Sequence, residues 1–112
     1  MASIRQQKIS SLIQRELAMI FQKEGTQKYS GAMVTVSEIS VTTDLSIAKV
    51  YVSLFTKLDK QEILKEIKSN SKYYKHELAK ILKHHLRKMP DFQFYLDDTL
   101  DYNEEIDRLL KQ

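Results

Sequence analysis

The residues best placed to do chemistry are cations. Lys72, Lys75, His76, Lys80, Lys83 and Arg87 recur at helical spacing and fall on one side of a helical wheel. Tyr74, Leu78, Ile81, Leu82 and Leu86 fall roughly opposite. A helix from about Lys72 to Lys88 would bury the second set and hold the first as a row of charges in solvent. Long Lys and Arg side chains on a rigid helix suit phosphates along a nucleic-acid strand or groove, contacts that position a protein without reading sequence. The plain alternative is a lysine-rich solvated face. Just before the row, Ser69-Asn70-Ser71 places three poor helix formers together. A second helix starting there would carry unpaired N–H groups and the positive end of its dipole, which attract a phosphate. Ser69 or Asn70 capping that helix is the commoner use of these residue types, and the two roles are compatible. The expected polyanion contacts are therefore Asn70, Ser71, Lys72, Lys75, Lys80, Lys83, Arg87 and Lys88. Tyr73, beside the break, could stack a base. Tyr51 and Phe55 share the strand face opposite Val50 and Val52, and Phe55 suits core packing or a partner contact.

Other chemistries find little footing. His84 and His85 would project about 100° apart on a helix, and His76 would sit among lysines that repel a metal ion. His85 is expected at the rim of the core, with His76 and His84 facing solvent. No metal site is expected. The acids Asp97, Asp98, Asp101, Glu104, Glu105 and Asp107 lack the glycine-centred spacing of a calcium loop. Asp101 suits a helix N-cap, and acids in a first helical turn favour its dipole. With no cysteine, no Gly-rich phosphate loop and no nucleophile elbow or metalloprotease His pair, neither an enzyme nor a cofactor is expected.

Around these residues the chain lays out its elements in order. Ser3 to about Glu24 carries Ile9, Leu12, Ile13, Leu17, Ile20 and Phe21 at helical spacing, and Gly25 ends the helix. After a loop to Gly31, Ala32 to Thr42 is rich in β-branched residues. Val34 and Val36 alternate in one phase, Ile39 and Val41 in the other, which predicts a bulge near Ser37-Glu38. Thr43-Asp44 turns the chain into a strand from Ile47 to Phe55, with Ala48, Val50, Val52 and Leu54 on one face and antiparallel pairing to the first. Asp59 to Glu62 has the form of a capping box ahead of Ile63, Leu64 and Ile67. Pro90 stops the basic helix. Phe92, Phe94 and Leu96 alternate as a third strand, and Tyr102 to Leu110 forms a short acidic helix with Ile106, Leu109 and Leu110 as its apolar side. The order α-β-β-α-α-β with a C-terminal helix implies an α+β domain, a three-stranded sheet covered by helices on one face.

The 112 residues suit one domain, 1–112, with a modest core. The net charge of +3 hides a split. Between Lys60 and Lys88 nine Lys/Arg face three acids, whereas from Met89 to Gln112 two basic residues face seven acids. A basic block in a folded domain suits a polyanion. No apolar run approaches a membrane span, and the polar N-terminus does not read as a secretory signal, so the expected compartment is the cytoplasm.

Three stretches carry a resemblance. They are Val34-Thr35-Val36 with Ser40 through Ser53, including Asp44-Leu45 and Ala48-Lys49-Val50-Tyr51; Leu86-Arg87-Lys88-Met89-Pro90 with Phe92 through Asp98; and Ile106-Asp107-Arg108-Leu109-Leu110. As an ordered set they resemble the bacterial ribosome-binding factor A family. The resemblance implies a type II K-homology-like (KH-like) fold. It further implies binding to the free 30S subunit and its 16S rRNA in late assembly, with non-catalytic help in 5′-end maturation and in growth in the cold. No membrane or small-molecule substrate is implied, and the expected state is a monomer. Where the family carries an Ala-x-Gly helix kink, this chain has Asn70-Ser71-Lys72. Lys72 is accordingly expected in ordinary helical geometry, in the first turn of a capped helix. Two alternatives stay open at this point: a KH-like module acting on other RNAs, and a protein-interaction module docking through its acidic tail.

Overall fold

The computed structural model describes residues 3–97. The expected C-terminal helix over Tyr102 to Leu110 lies outside the described residues, as does all of the acidic run beyond Asp97. The elements are α1 (Ile4–Glu24), β1 (Met33–Val41), β2 (Ile47–Phe55), α2 (Lys60–Ser69), α3 (Ser71–Leu82) and β3 (Asp91–Leu96), with a short 3-10 turn at Gln27–Tyr29. This is the α-β-β-α-α-β order expected from the sequence.

Ser3 opens α1 with a capping box. Its hydroxyl accepts from the Gln6 N–H at 3.1 Å, and its own N–H donates to Gln6 Oε1 at 2.8 Å. The Gln6 amide also donates to the Val41 carbonyl at 2.8 Å, tying the helix start to the end of β1. Gly25 closes the helix at φ 67°, its N–H reaching the Phe21 and Gln22 carbonyls, a backbone angle that glycine adopts without penalty.

The sheet order is β1-β2-β3, β1 antiparallel to β2 and β2 parallel to β3. The β1–β2 register shifts between Val36 and Glu38, so Ser37 is the extra residue and the bulge lies where the phase change predicted it. Ala48, Val50, Val52 and Leu54 of β2 are all buried. They meet Ile9, Ile13, Leu17 and Phe21 of α1, Ile63, Leu64 and Ile67 of α2, Tyr74, Leu78 and Leu82 of α3, and Phe92 and Phe94 of β3 in one core. The α1 helix packs chiefly on β1, and α2 and α3 on β3.

Four expectations change. The α3 helix stops at Leu82, not near Lys88. The N–H groups of His85 and Leu86 both return to the Leu82 carbonyl, at 2.8 and 3.1 Å, and residues 83–88 then unwind. The reason is the parallel crossover. Asp91 must reach Ser46, whose carbonyl accepts its N–H at 2.9 Å, and Met89 and Pro90 must enter the core on the way. Ile81 consequently stays 46 % exposed, because the buried stripe narrows to Tyr74, Leu78 and Leu82, one residue per turn. His85 is exposed along with His76 and His84, since the turn carries it away from the core. Finally, Asp59 caps α2 through the Gln61 N–H at 3.0 Å, without the reciprocal contact from Glu62 that a full capping box needs.

Candidate nucleic-acid interface

The break between α2 and α3 is a single residue, Asn70, at φ −99° and ψ 11°. Neither expected cap forms. The Ser69 hydroxyl donates back to the Glu66 carbonyl at 2.6 Å, and no side chain accepts from the first N–H groups of α3. The Asn70 amide turns inward instead and donates to the Tyr29 hydroxyl at 3.2 Å.

That contact is one end of a chain of polar groups that sequence reasoning missed. The Tyr29 and Tyr74 hydroxyls form a short hydrogen bond, and Tyr74 donates to Glu24 Oε2 at 3.3 Å. The same oxygen is held by the Lys28 ammonium at 2.6 Å. Each phenol has one proton. Since the Tyr74 proton goes to Glu24, Tyr29 must donate to Tyr74, and Tyr29 can then only accept from Asn70. The polarity therefore runs one way, from Asn70 through both tyrosines to a carboxylate. Burial, then the hydrogen bond from Tyr29 and the nearby Glu24, hold the Tyr74 phenol far above its ordinary value, so it stays a donor. Lys28 is held above its ordinary value despite the opposing effect of burial, because the hydrogen bond and charge of Glu24 prevail. Its ammonium also lies 4.1 Å from the centroid of the Tyr73 ring, a cation–π contact.

Tyr29 escaped notice because it lies in a polar loop between Gly25 and Gly31, yet it is 1 % exposed. The only local signal was a large aromatic residue among turn formers. Its burial depends on α3, distant in sequence.

The structure separates the eight candidate contacts into groups. Ser71 and Lys72 stand at the start of α3, with Lys72 exposed and no positive φ there. Asn70 is half-buried and engaged with Tyr29. Lys75, expected in open solvent, reaches across to Asp91 at 2.6 Å. The Asp91 carboxyl is held below the usual carboxylate range by that hydrogen bond and the Lys75 charge, with Lys88 adding to it. Lys80 pairs loosely with Glu77 at 3.4 Å, and Lys83 is exposed at the helix end. Lys72 and Lys80 thus share α3 and Lys83 is its C-cap, roughly 16 Å from Lys72 along the axis. Arg87 and Lys88 do not continue the row, because the chain has left the helix before them. They border a small cavity at the β1–β2 turn instead.

Of the aromatic candidates, Tyr73 is 42 % exposed beside the break. Phe55 is 73 % exposed, which overturns core packing for it. Tyr51 stacks on Tyr95 across the β2–β3 pair, centroids 5.4 Å apart. Among the described residues no group of His, Cys, Asp and Glu is placed to hold a metal, and no helix is long and apolar enough to cross a membrane.

Comparison with known proteins bears on this geometry. A family model described as ribosome-binding factor A matches residues 5–110. The ribosome-binding factor A of Christiangramia forsetii is 46 % identical over 108 residues, covering 96 % of this chain and 82 % of that protein. That of Flavobacterium psychrophilum is 45 % identical over 111 residues, covering 98 % and 85 %. Among solved structures, a ribosome-binding factor A crystal structure from Thermus thermophilus superposes with TM-score 0.68 at 20 % identity, covering 81 % of this chain and 94 % of that one. A Thermus thermophilus ribosome-binding factor A model fitted into a map of a 30S complex superposes with TM-score 0.64 at 20 % identity, covering 79 % and 90 %. The fold is thus the α+β, KH-like fold of those structures. With the match running from the first turn of α1 to beyond β3, this chain belongs to the ribosome-binding factor A family.

Proposed function

We propose that this chain binds the free 30S ribosomal subunit through its 16S rRNA during late assembly, and that it assists 5′-end maturation of that RNA without catalysing it. The observation that carries the reading is the family match over residues 5–110. The exposed cations of α3 supply the physical means, since lysines on a rigid helix exchange their counterions for RNA phosphates. On this reading Ser71, Lys72, Lys80 and Lys83 contact the RNA along α3, with Arg87 and Lys88 contributing from the bend that follows. Asn70 acts by holding the break, and Lys75 reaches RNA only by giving up Asp91. A cytoplasmic monomer without cofactor suffices for this work.

Density-gradient co-sedimentation tests it. The protein should travel with free small subunits and not with assembled ribosomes. Equal binding to both, or to neither, would overturn the proposal. Purified protein incubated with precursor 16S rRNA should leave the 5′ end uncut, whereas cells depleted of the protein should accumulate that precursor.

A further inference from the structure

The β1–β2 turn and the bend before β3 enclose a cavity of about 180 Å³ lined by Arg5, Ile9, Asp44, Leu45, Arg87 and Lys88, among others. Its three cations come from opposite ends of the described chain. Arg5 lies in the first turn of α1, and Arg87 and Lys88 lie in the bend. They line one cavity because the Asp91 N–H is fastened to the Ser46 carbonyl, which draws the bend against the turn. Lys28, Lys75 and Lys80 have carboxylate partners. Arg5, Arg87 and Lys88 form no ion pair among the described residues. The acid in the cavity wall, Asp44, forms no ion pair with them. Asp44 Oδ1 takes the Thr42 hydroxyl at 2.8 Å, the Ser46 hydroxyl at 2.7 Å and the Ser46 N–H at 3.1 Å, which holds the turn. Three cations line the cavity against one carboxylate, Asp44, with Asp91 beside Lys88, which leaves a smaller but still positive local balance beside the apolar Ile9, Leu45 and Pro90.

We propose that Arg5, Arg87 and Lys88 form a second phosphate-binding site, separate from the α2–α3 break, and that it takes a backbone phosphate of the bound RNA. The proposal rests on the RNA-binding reading above and adds to it a second anchor and a residue, Arg5, from the other end of the chain. Size argues for a phosphate group and against a whole small molecule. The cavity holds about six water volumes at ~30 Å³ each, below the ~300 Å³ at which sites for drug-sized ligands begin. An arginine pair can grip one phosphate through paired N–H donors. The site also lies near α3, because Asp91 pairs with Lys75 of α3 and feels the charge of Lys88 as well. A strand lying along α3 therefore has a further cationic contact within reach of its backbone.

The test is a salt titration of binding to free small subunits, and to naked 16S rRNA, with the full chain and its Arg5→Gln, Arg87→Gln and Lys72→Gln variants, all checked for fold by thermal melts. Arg5→Gln and Arg87→Gln should each weaken binding at least about threefold and reduce the logarithmic salt slope by just under one. Arg5→Lys, which keeps the charge, should recover much of the loss, and this separates binding from any damage to the fold. Combining Arg5→Gln with Arg87→Gln should cost less than the product of the single losses, because both grip one phosphate. Combining Arg5→Gln with Lys72→Gln should multiply them. If Lys72→Gln weakens binding while both arginine variants bind as the unaltered chain does, the second site is wrong and the RNA reading stands. If the unaltered chain binds neither subunits nor rRNA, the RNA reading falls and this site with it. Losses seen with subunits but not with naked rRNA would assign the cavity to an acidic protein segment and overturn the phosphate assignment.

Discussion

Tyr29 and Tyr74 show how much of the binding surface depends on residues that touch no ligand. Both phenols are essentially buried, and an apolar site tolerates a hydroxyl only where it is paired. The one-way chain from Asn70 to Glu24 pairs each hydroxyl and, in doing so, fixes the residue at which α2 gives way to α3. Tyr29→Phe should destabilise the protein by about 1–2 kcal/mol in urea melts, since Tyr74 keeps Glu24 and the half-buried Asn70 amide can turn to water. The Tyr29→Phe and Tyr74→Phe costs should be non-additive by about 0.5 kcal/mol or more, because they share one hydrogen bond. Strict additivity would mean the two hydroxyls do not meet. Asp91 offers a second check. Its carboxyl is held low by Lys75 and, less strongly, by Lys88. A depressed carboxylate stabilises the fold above its unfolded value and loses that contribution as pH falls through the folded one. NMR titration should place the Asp91 midpoint below the ordinary value of about 3.9. Lys75→Met should raise it most of the way back, with the remaining depression due to Lys88.

At the scale of elements, Lys72 is the informative position. It stands in regular α-helix, in the first turn of α3 and without a positive φ. The break therefore needs no left-handed residue, because Asn70 alone absorbs the change of direction and Tyr29 holds it. Lys72→Gly should destabilise by about 1 kcal/mol through glycine's backbone entropy. Denaturant melts showing stabilisation instead would reveal a strained backbone at this position. Apolar periodicity marked the helices and strands in the sequence, Gly25 marked the end of α1, and the phase change between Val36 and Ile39 marked the bulge. What the sequence withheld was the end of α3. Residues 83–88 continue a plausible helical pattern with no glycine or proline before Pro90. They unwind because β3 must pair in parallel with β2 and Asp91 must reach Ser46, and local propensity carries no trace of that non-local demand. The same stop divided the candidate site. Lys72, Lys80 and Lys83 remained a row, whereas Arg87 and Lys88 moved to the β1–β2 turn beside Arg5.

For the molecule as a whole the decisive quantity is the number of phosphates it neutralises at once. The net charge of +3 is too small to draw the chain to RNA through long-range attraction alone, which at physiological salt is screened within about 8 Å. Affinity must therefore come from cations placed in contact with phosphates. The exposed ones along α3 and at its C-cap are Lys72, Lys80 and Lys83, and among the described residues only Lys80 of these has an ion-pair partner, at a distance where exposed pairs contribute little. If these three each meet a phosphate, binding to free small subunits should fall steeply between about 50 and 200 mM salt. Neutralising all three to Gln should reduce the logarithmic slope by about 2–3, with the spread set by whether the RNA is single- or double-stranded. The variant should melt as the unaltered protein does, because none of the three side chains enters the core. A slope that stays shallow in the unaltered chain would remove the electrostatic basis of the interface. A steep slope left unchanged in the triple variant would keep that basis and move it away from α3, to the cations around the β1–β2 turn.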